Sequence, residues 1–182
     1  ALALGEQARD LNALVADLDR AGSLRETLAA LPGPVLRPDN PSAARPAPVN
    51  EAVAQGGNTG GPPMFILPVT GRLVAGFGAP LTVGTSKGLT LAPRGGAQVV
   101  APAAGRVAFA GVYRGFGRIV IIEHPGGWTS LITGLAQTDV RVGDSLLGGA
   151  PLGIAGPGRP VLNLELRKNG QPVNPLDLLQ RR

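Results

Sequence analysis

The sequence predicts a mainly β fold, an antiparallel sheet or sandwich, preceded by a short helical segment and a flexible linker. Three observations carry this. Glycine and proline are abundant, 28 and 18 of 182 residues, and aromatic residues make up 3%, a composition of turns and short strands and not of a helical bundle. From about Pro63 onward, apolar runs bounded by Gly and Pro recur at roughly ten-residue spacing, as in sandwiches and barrels. Ahead of them, Leu4, Leu11 and Leu18 recur at sevens and the pattern stops at Pro32.

Residues 1–31 are read as helix, the end of a coiled coil. Ala8, Leu14 and Val15 widen the leucine stripe, and Glu6, Arg9, Asp10, Asp17 and Arg20 lie largely off it. An amphipathic helix docked on the following domain fits the same pattern. Gly22-Ser23 interrupts it, with Ser23 and Glu26 placed to cap a second short helix. Residues 32–62 carry six prolines between Pro32 and Pro48, then Gly56-Gly57 and Gly60-Gly61. That composition buries little and predicts an extended or disordered linker or regulatory arm, with a helical turn or two at Val49–Gln55.

Residues 63–182 form the third unit. The expected strands are Phe65–Val69, Leu73–Ala75, Gly88–Leu91, Gln98–Ala101, Gly105–Ala110, Arg118–Glu123, Trp128–Thr133, Leu152–Ala155 and Val161–Arg167. Gly115-Phe116-Gly117, His124-Pro125-Gly126-Gly127 and Asn169-Gly170 mark the turns between them.

Composition excludes several chemistries. There is no cysteine and a single histidine, His124. Thiol catalysis, disulfides and zinc fingers are therefore out, and the His and Cys ligands of an ordinary catalytic zinc site are missing. No apolar run approaches the ~20 residues of a membrane-spanning helix. Charge is uneven. Residues 1–62 hold five Arg against seven acids, a net of −2, and residues 63–182 hold twelve Lys or Arg against five acids, a net of +7. A basic domain can face an acidic protein, an anionic wall polymer or nucleic acid. The arginines are scattered singly without interleaved aromatics, which argues against single-strand nucleic-acid binding.

The ordered segments "GRLVAGFG" (71–78), "SKGLTL" (86–91), "VVAPAAGRVAFAG" (99–111), "GFGRIVIIEHPGGWTSLITGL" (115–135), "VRVGDSLLGGAPLGIAG" (140–156) and "VLNLELRKNGQPVNPLDLL" (161–179) resemble the LytM-type, lysostaphin-like metallopeptidase domain, whose members are zinc endopeptidases of peptidoglycan. The resemblance places the first His and the Asp ligand at Ser86 and Thr90, and the late His-x-His pair at Val161 and Asn163. The catalytic histidine falls at Gly134 and its tyrosine neighbour at Ile132. Every position has lost its ligand or catalytic group. Neutral Ser, Thr and Asn oxygens are weak substitutes for imidazole and carboxylate at zinc. No hydrolysis, metal or small-molecule cofactor is expected. His124 is read as a hydrogen-bonded turn residue.

A degenerate LytM domain behind a helix and an arm resembles the EnvC-type murein hydrolase activators. This implies a periplasmic, non-catalytic protein that switches on an N-acetylmuramoyl-L-alanine amidase in cell division and daughter-cell separation, and that meets divisome membrane proteins through its coiled coil. The vacated groove becomes the docking surface, and the preceding helix can occlude it. Lys87, Thr90, Phe116, Ile132, Val161, Asn163 and Arg167 are the expected partner-binding residues, with Arg167 on the same strand face as Val161 and Asn163 and suited to pair an acidic partner residue. The alternatives are a non-catalytic peptidoglycan-binding module using Tyr113, Phe116 or Trp128, a lipoyl-like carrier domain, for which neither Lys87 nor Lys168 sits in a suitable motif, and a peptidase with a shifted site.

Overall fold

A computed structural model describes residues 2–30, 63–82 and 84–179, with the helix side chains placed over 9–25. The linker at 32–62 and the expected turn at Val49–Gln55 lie outside the described residues. Helix α1 (Leu2–Ala30) is followed by β1 (Gly71–Ala75), β2 (Leu89–Pro93), β3 (Gln98–Val100), β4 (Gly105–Tyr113), β5 (Gly117–His124), β6 (Trp128–Thr138), β7 (Ser145–Leu146), β8 (Pro151–Ala155), β9 (Leu162–Lys168) and β10 (Gln171–Val173), with a 3-10 turn at Pro175–Asp177. All strand pairs are antiparallel. The main path runs β1-β2-β9-β6-β5-β4-β7, with β10 added to β9 and β8 to β6, and β3 added in turn to β8. The fold is thus the mainly β, antiparallel architecture expected, with an N-terminal helix.

Val, Ile and Leu dominate β5, β6 and β9, residues that fill a pleated surface well. Alternation splits them between two faces. Val120, Ile122, Ile132, Leu162, Leu164 and Leu166 point inward to the main core with Phe65 and Leu152. Ile119, Ile121 and Leu131 point outward to a second cluster that includes Leu11 and Val15 of α1. The hairpin turns are where the sequence marks them. Asn169 and Gly170 have φ of 50° and 78°, the type I′ geometry that an Asn-Gly pair tolerates, and connect Lys168 to Gln171.

Strand β6 changes partner partway. Its first half, Trp128–Thr133, pairs with β9, and from Leu135 it pairs with β8. The residue between them, Gly134, is the extra residue of a bulge against β5, where Leu135 faces Arg118 and Thr133 faces Ile119. Its φ is 92°, and a Cβ there would overlap the Val161 carbonyl oxygen. Glycine is therefore required by both conformation and space.

Two expectations are corrected. Phe65–Val69 is not a strand. Phe65 makes one isolated bridge to Leu179, and the segment is tied down by single bonds, Ile66 N–H to the Pro102 carbonyl and Val100 N–H to the Pro68 carbonyl. Pro68 has no N–H to extend a ladder. The helix is also not broken at Gly22-Ser23. It continues to Ala30, with the Ser23 hydroxyl donating to the Arg20 carbonyl at 2.9 Å. Gly22 serves packing, since a Cβ there would press on the Glu123 carboxylate at 2.9 Å.

Candidate functional site

On the outer sheet face, β2, β9 and β6 lie side by side, and Thr90, Asn163 and Thr133 form one cross-strand row. Their side chains bond along it. Thr90 Oγ1 donates to Asn163 Oδ1 at 2.8 Å, and Asn163 Nδ2 donates to Thr133 Oγ1 at 3.3 Å. Ser86, on the turn entering β2, is buried and donates to the Gly88 carbonyl at 2.9 Å. These are the positions at which the resemblance to the peptidase domain expects metal ligands, and the side chains present do not fit a zinc ion. Each oxygen is neutral and engaged in a neighbour's hydrogen bond, and Gly134 and Val161 supply no donor side chain. Among the described residues no group of three or more His, Cys, Asp or Glu could hold a metal.

Around this row is an open groove of about 600 Å³, lined on the sheet side by Lys87, Thr90, Thr133, Asn163 and Glu165 and flanked by Phe116. Its other walls are the loop before β2, through Leu81 and Thr85, and α1, through Leu11 and Asn12. The helix seats Val15 at 0% and Leu11 at 6% exposure on Ile119, Ile121 and Leu131, with Leu14, Leu18, Tyr113 and Phe116 packed alongside. Full burial of each such aliphatic side chain contributes about 1.5–3 kcal/mol. Polar contacts fix its register. Arg167 Nη2 donates to Asn12 Oδ1 at 2.6 Å and Lys87 Nζ to the same oxygen at 3.3 Å. Thr129 Oγ1 donates to Asp19 Oδ1 at 2.5 Å, and Arg25 pairs with Glu123 at 3.2 Å.

Arg167 is buried and its Nε also donates to Glu165 Oε1 at 2.6 Å. Burial raises the Glu165 pKa, and the charges of Arg167 and Lys87 oppose that rise. His124 lies on the inner face. Burial lowers its pKa to about 4, against a hydrogen bond to the Ala104 backbone that acts the other way. Its Nδ1 is 2.7 Å from the Ala104 carbonyl and its Nε2 2.9 Å from Ser130 Oγ. It is a hydrogen-bonded interior histidine at the end of β5, away from the groove.

Of the residues expected to bind a partner, Lys87, Thr90, Phe116 and Asn163 meet around the groove, and Arg167 sits beside them beneath Asn12. Phe116 is half-buried against the helix cluster instead of standing free. Ile132 is misplaced by the sequence reading. It is fully buried in the inner core, because strand alternation turns it away from its neighbours Leu131 and Thr133. Val161, half exposed, does not line the groove and meets Gly134 through its backbone. Asn12, Asp19 and Glu165 were not anticipated. The leucine stripe showed which helix face is apolar, but nothing in it marks a polar residue beside that face as a contact.

Residues 84–175 match Peptidase family M23. The chain belongs to this family. It is 35% identical over 122 residues to the murein hydrolase activator NlpD of Salmonella dublin, covering 63% of this chain and 31% of that protein. It is 37% identical over 99 residues to the murein hydrolase activator EnvC of Escherichia coli K12, covering 52% of this chain and 24% of that one. The matched part thus spans about a third or less of these relatives. The catalytic domain of the peptidase lysostaphin from Staphylococcus simulans superposes with a TM-score of 0.53 at 22% identity, covering 59% of this chain and 90% of that one. At that identity the likeness establishes the fold.

Proposed function

We propose that this M23 protein regulates peptidoglycan hydrolysis without catalysing it, as an activator of a periplasmic N-acetylmuramoyl-L-alanine amidase in cell division. The groove over Thr90, Asn163 and Lys87 receives a helix of the amidase, and α1 covers it in the resting state. One observation carries the reading: a helix of this chain already lies on that face, with Leu11 and Val15 on its apolar patch and Asn12 on its two cations. A surface that seats one amphipathic helix can seat another of similar pattern. The names of the relatives, murein hydrolase activators, support the same role. Release of α1 is assigned to a divisome membrane protein acting on the helical segment.

The aromatic residues favour this reading over a glycan platform. Tyr113 and Phe116 are taken up by the helix cluster, and Trp128 packs on Phe65 with Lys168 over its ring. The test is release of dye-labelled peptidoglycan by a purified amidase with the full chain added. V15D, which expels α1, is expected to stimulate more strongly than the parent, and K87E or R167E less than either. Normal stimulation by both charge reversals, in chains that melt as the parent does, refutes the proposal.

A further inference from the structure

The polar seat beneath α1 is out of charge balance. Arg167 and Lys87 bring two positive charges and Glu165 brings one negative charge. The helix adds Asn12, a neutral amide whose Oδ1 accepts from both cations. Arg167 is enclosed, its side chain 5% exposed and that of Glu165 16%, and the two pair with each other, so the surplus charge lies on Lys87, which is exposed at the groove. A carboxylate at the position of Asn12 would neutralise the group. It would also give these two bonds, whose donors are already cationic, an anionic acceptor, making each an ion pair.

We propose that this seat is built for a carboxylate presented by a partner's helix, and that Asn12 is a neutral stand-in which keeps α1 displaceable. The inference rests on the reading that the groove receives a partner helix, and it specifies what that helix carries. The pattern follows from the contacts of α1: an apolar residue, then Asp or Glu at the next position, then an apolar residue four after the first, as in Leu11-Asn12-Leu14-Val15 with the amide replaced by an acid. One atom separates stand-in from ligand. Asn and Asp have similar helix propensities, so exchanging them changes the charge at the seat and little else.

The probes are two fluorescent peptides spanning residues 5–25, one native and one with N12D. Binding is measured by anisotropy to the full chain carrying V15D, whose own helix is expelled. The N12D peptide should bind about ten-fold tighter. The preference should shrink to about two-fold or less in a V15D/K87Q chain and fall with added salt. Equal affinity of the two peptides overturns the proposal. A second measurement does not depend on V15D folding. In the otherwise unaltered full chain, N12D should slow tryptic cleavage after Arg20 and Arg25 several-fold, and an unchanged or faster rate overturns the proposal. Neither measurement involves an amidase. If the N12D preference appears and amidase stimulation does not, the docking function falls and the acid-selective seat stands.

Discussion

Val15 decides how firmly α1 holds the groove. It is fully buried on Ile119, Ile121 and Leu131, so Val15→Ala removes two methyl groups from a closed apolar contact. At about 0.8 kcal/mol for each, docking weakens by about 1.6 kcal/mol, roughly a fifteen-fold larger undocked fraction. Val15→Asp loses the same contact and forces a carboxylate toward three aliphatic side chains, at a further cost of a few kcal/mol, which undocks the helix. Once free, the helix loses the packing of its apolar face, from which most helical stability in proteins comes, and frays. Trypsin reads this directly. Arg20 and Arg25 are exposed, with side chains at 77% and 54%, yet cleavage after them requires the helix to open. While opening is fast relative to cutting, the initial rate tracks the open population. The expected order is parent, then V15A roughly fifteen-fold faster, then V15D faster still. The inner core around Phe65, Ile122 and Leu164 contains, among the described residues, none of α1, so the thermal melt of the β domain should survive. Cleavage of V15D at the parent rate, with that melt intact, refutes the docking energetics and with them the occluded groove.

Two further outcomes concern the domain itself. His124 has its folded pKa lowered to about 4 from an ordinary 6.5. Between those values the unfolded chain binds the extra proton, so its contribution is present above pH 6.5 and is lost as pH falls toward 4, about 3 kcal/mol in all. The raised pKa of Glu165 has the opposite sign, favouring the folded state as pH falls below its folded pKa. Urea denaturation of the parent and H124Q at pH 7, 5.5 and 4 isolates the histidine: the acid-induced loss should be smaller in H124Q, and identical pH slopes would contradict the assignment. Gly134→Ala should destabilise by about 2–4 kcal/mol from a positive φ and a clash with the Val161 carbonyl, read as a lowered urea midpoint with unchanged slope.

The strands and turns were legible because their signals are local. Asn169-Gly170 and His124-Pro125-Gly126-Gly127 announce hairpins through backbone conformations that few other residues tolerate. The alternating Ile and Val of β5 announce a sheet. What was not legible depends on contacts distant in sequence. Gly22 reads as a helix interruption until Glu123 is seen against it. Asn12 and Arg167 lie 155 residues apart and meet through the packing of Leu11 and Val15. Ile132 was read by its matched position and not by strand parity, and parity governs which way a side chain faces. The groove residues Lys87, Thr90 and Asn163 were legible as a set because the resemblance to the peptidase domain directs attention to that part of the sheet. Charge balance was not, since a count of charges over residues 63–182 does not say which of them share an enclosed seat.

Gly134 limits how the groove can change. Thr90 or Asn163 could be exchanged for a ligand by simple substitution, because their side chains already face the groove. Position 134 cannot be given a side chain that way. Its backbone has turned into a bulge that only glycine accepts, and the Val161 carbonyl occupies the space a side chain would need. Placing a side chain there would require β6 to re-register against β5 first. The groove is therefore open to change at Thr90 and Asn163 and closed to it at Gly134.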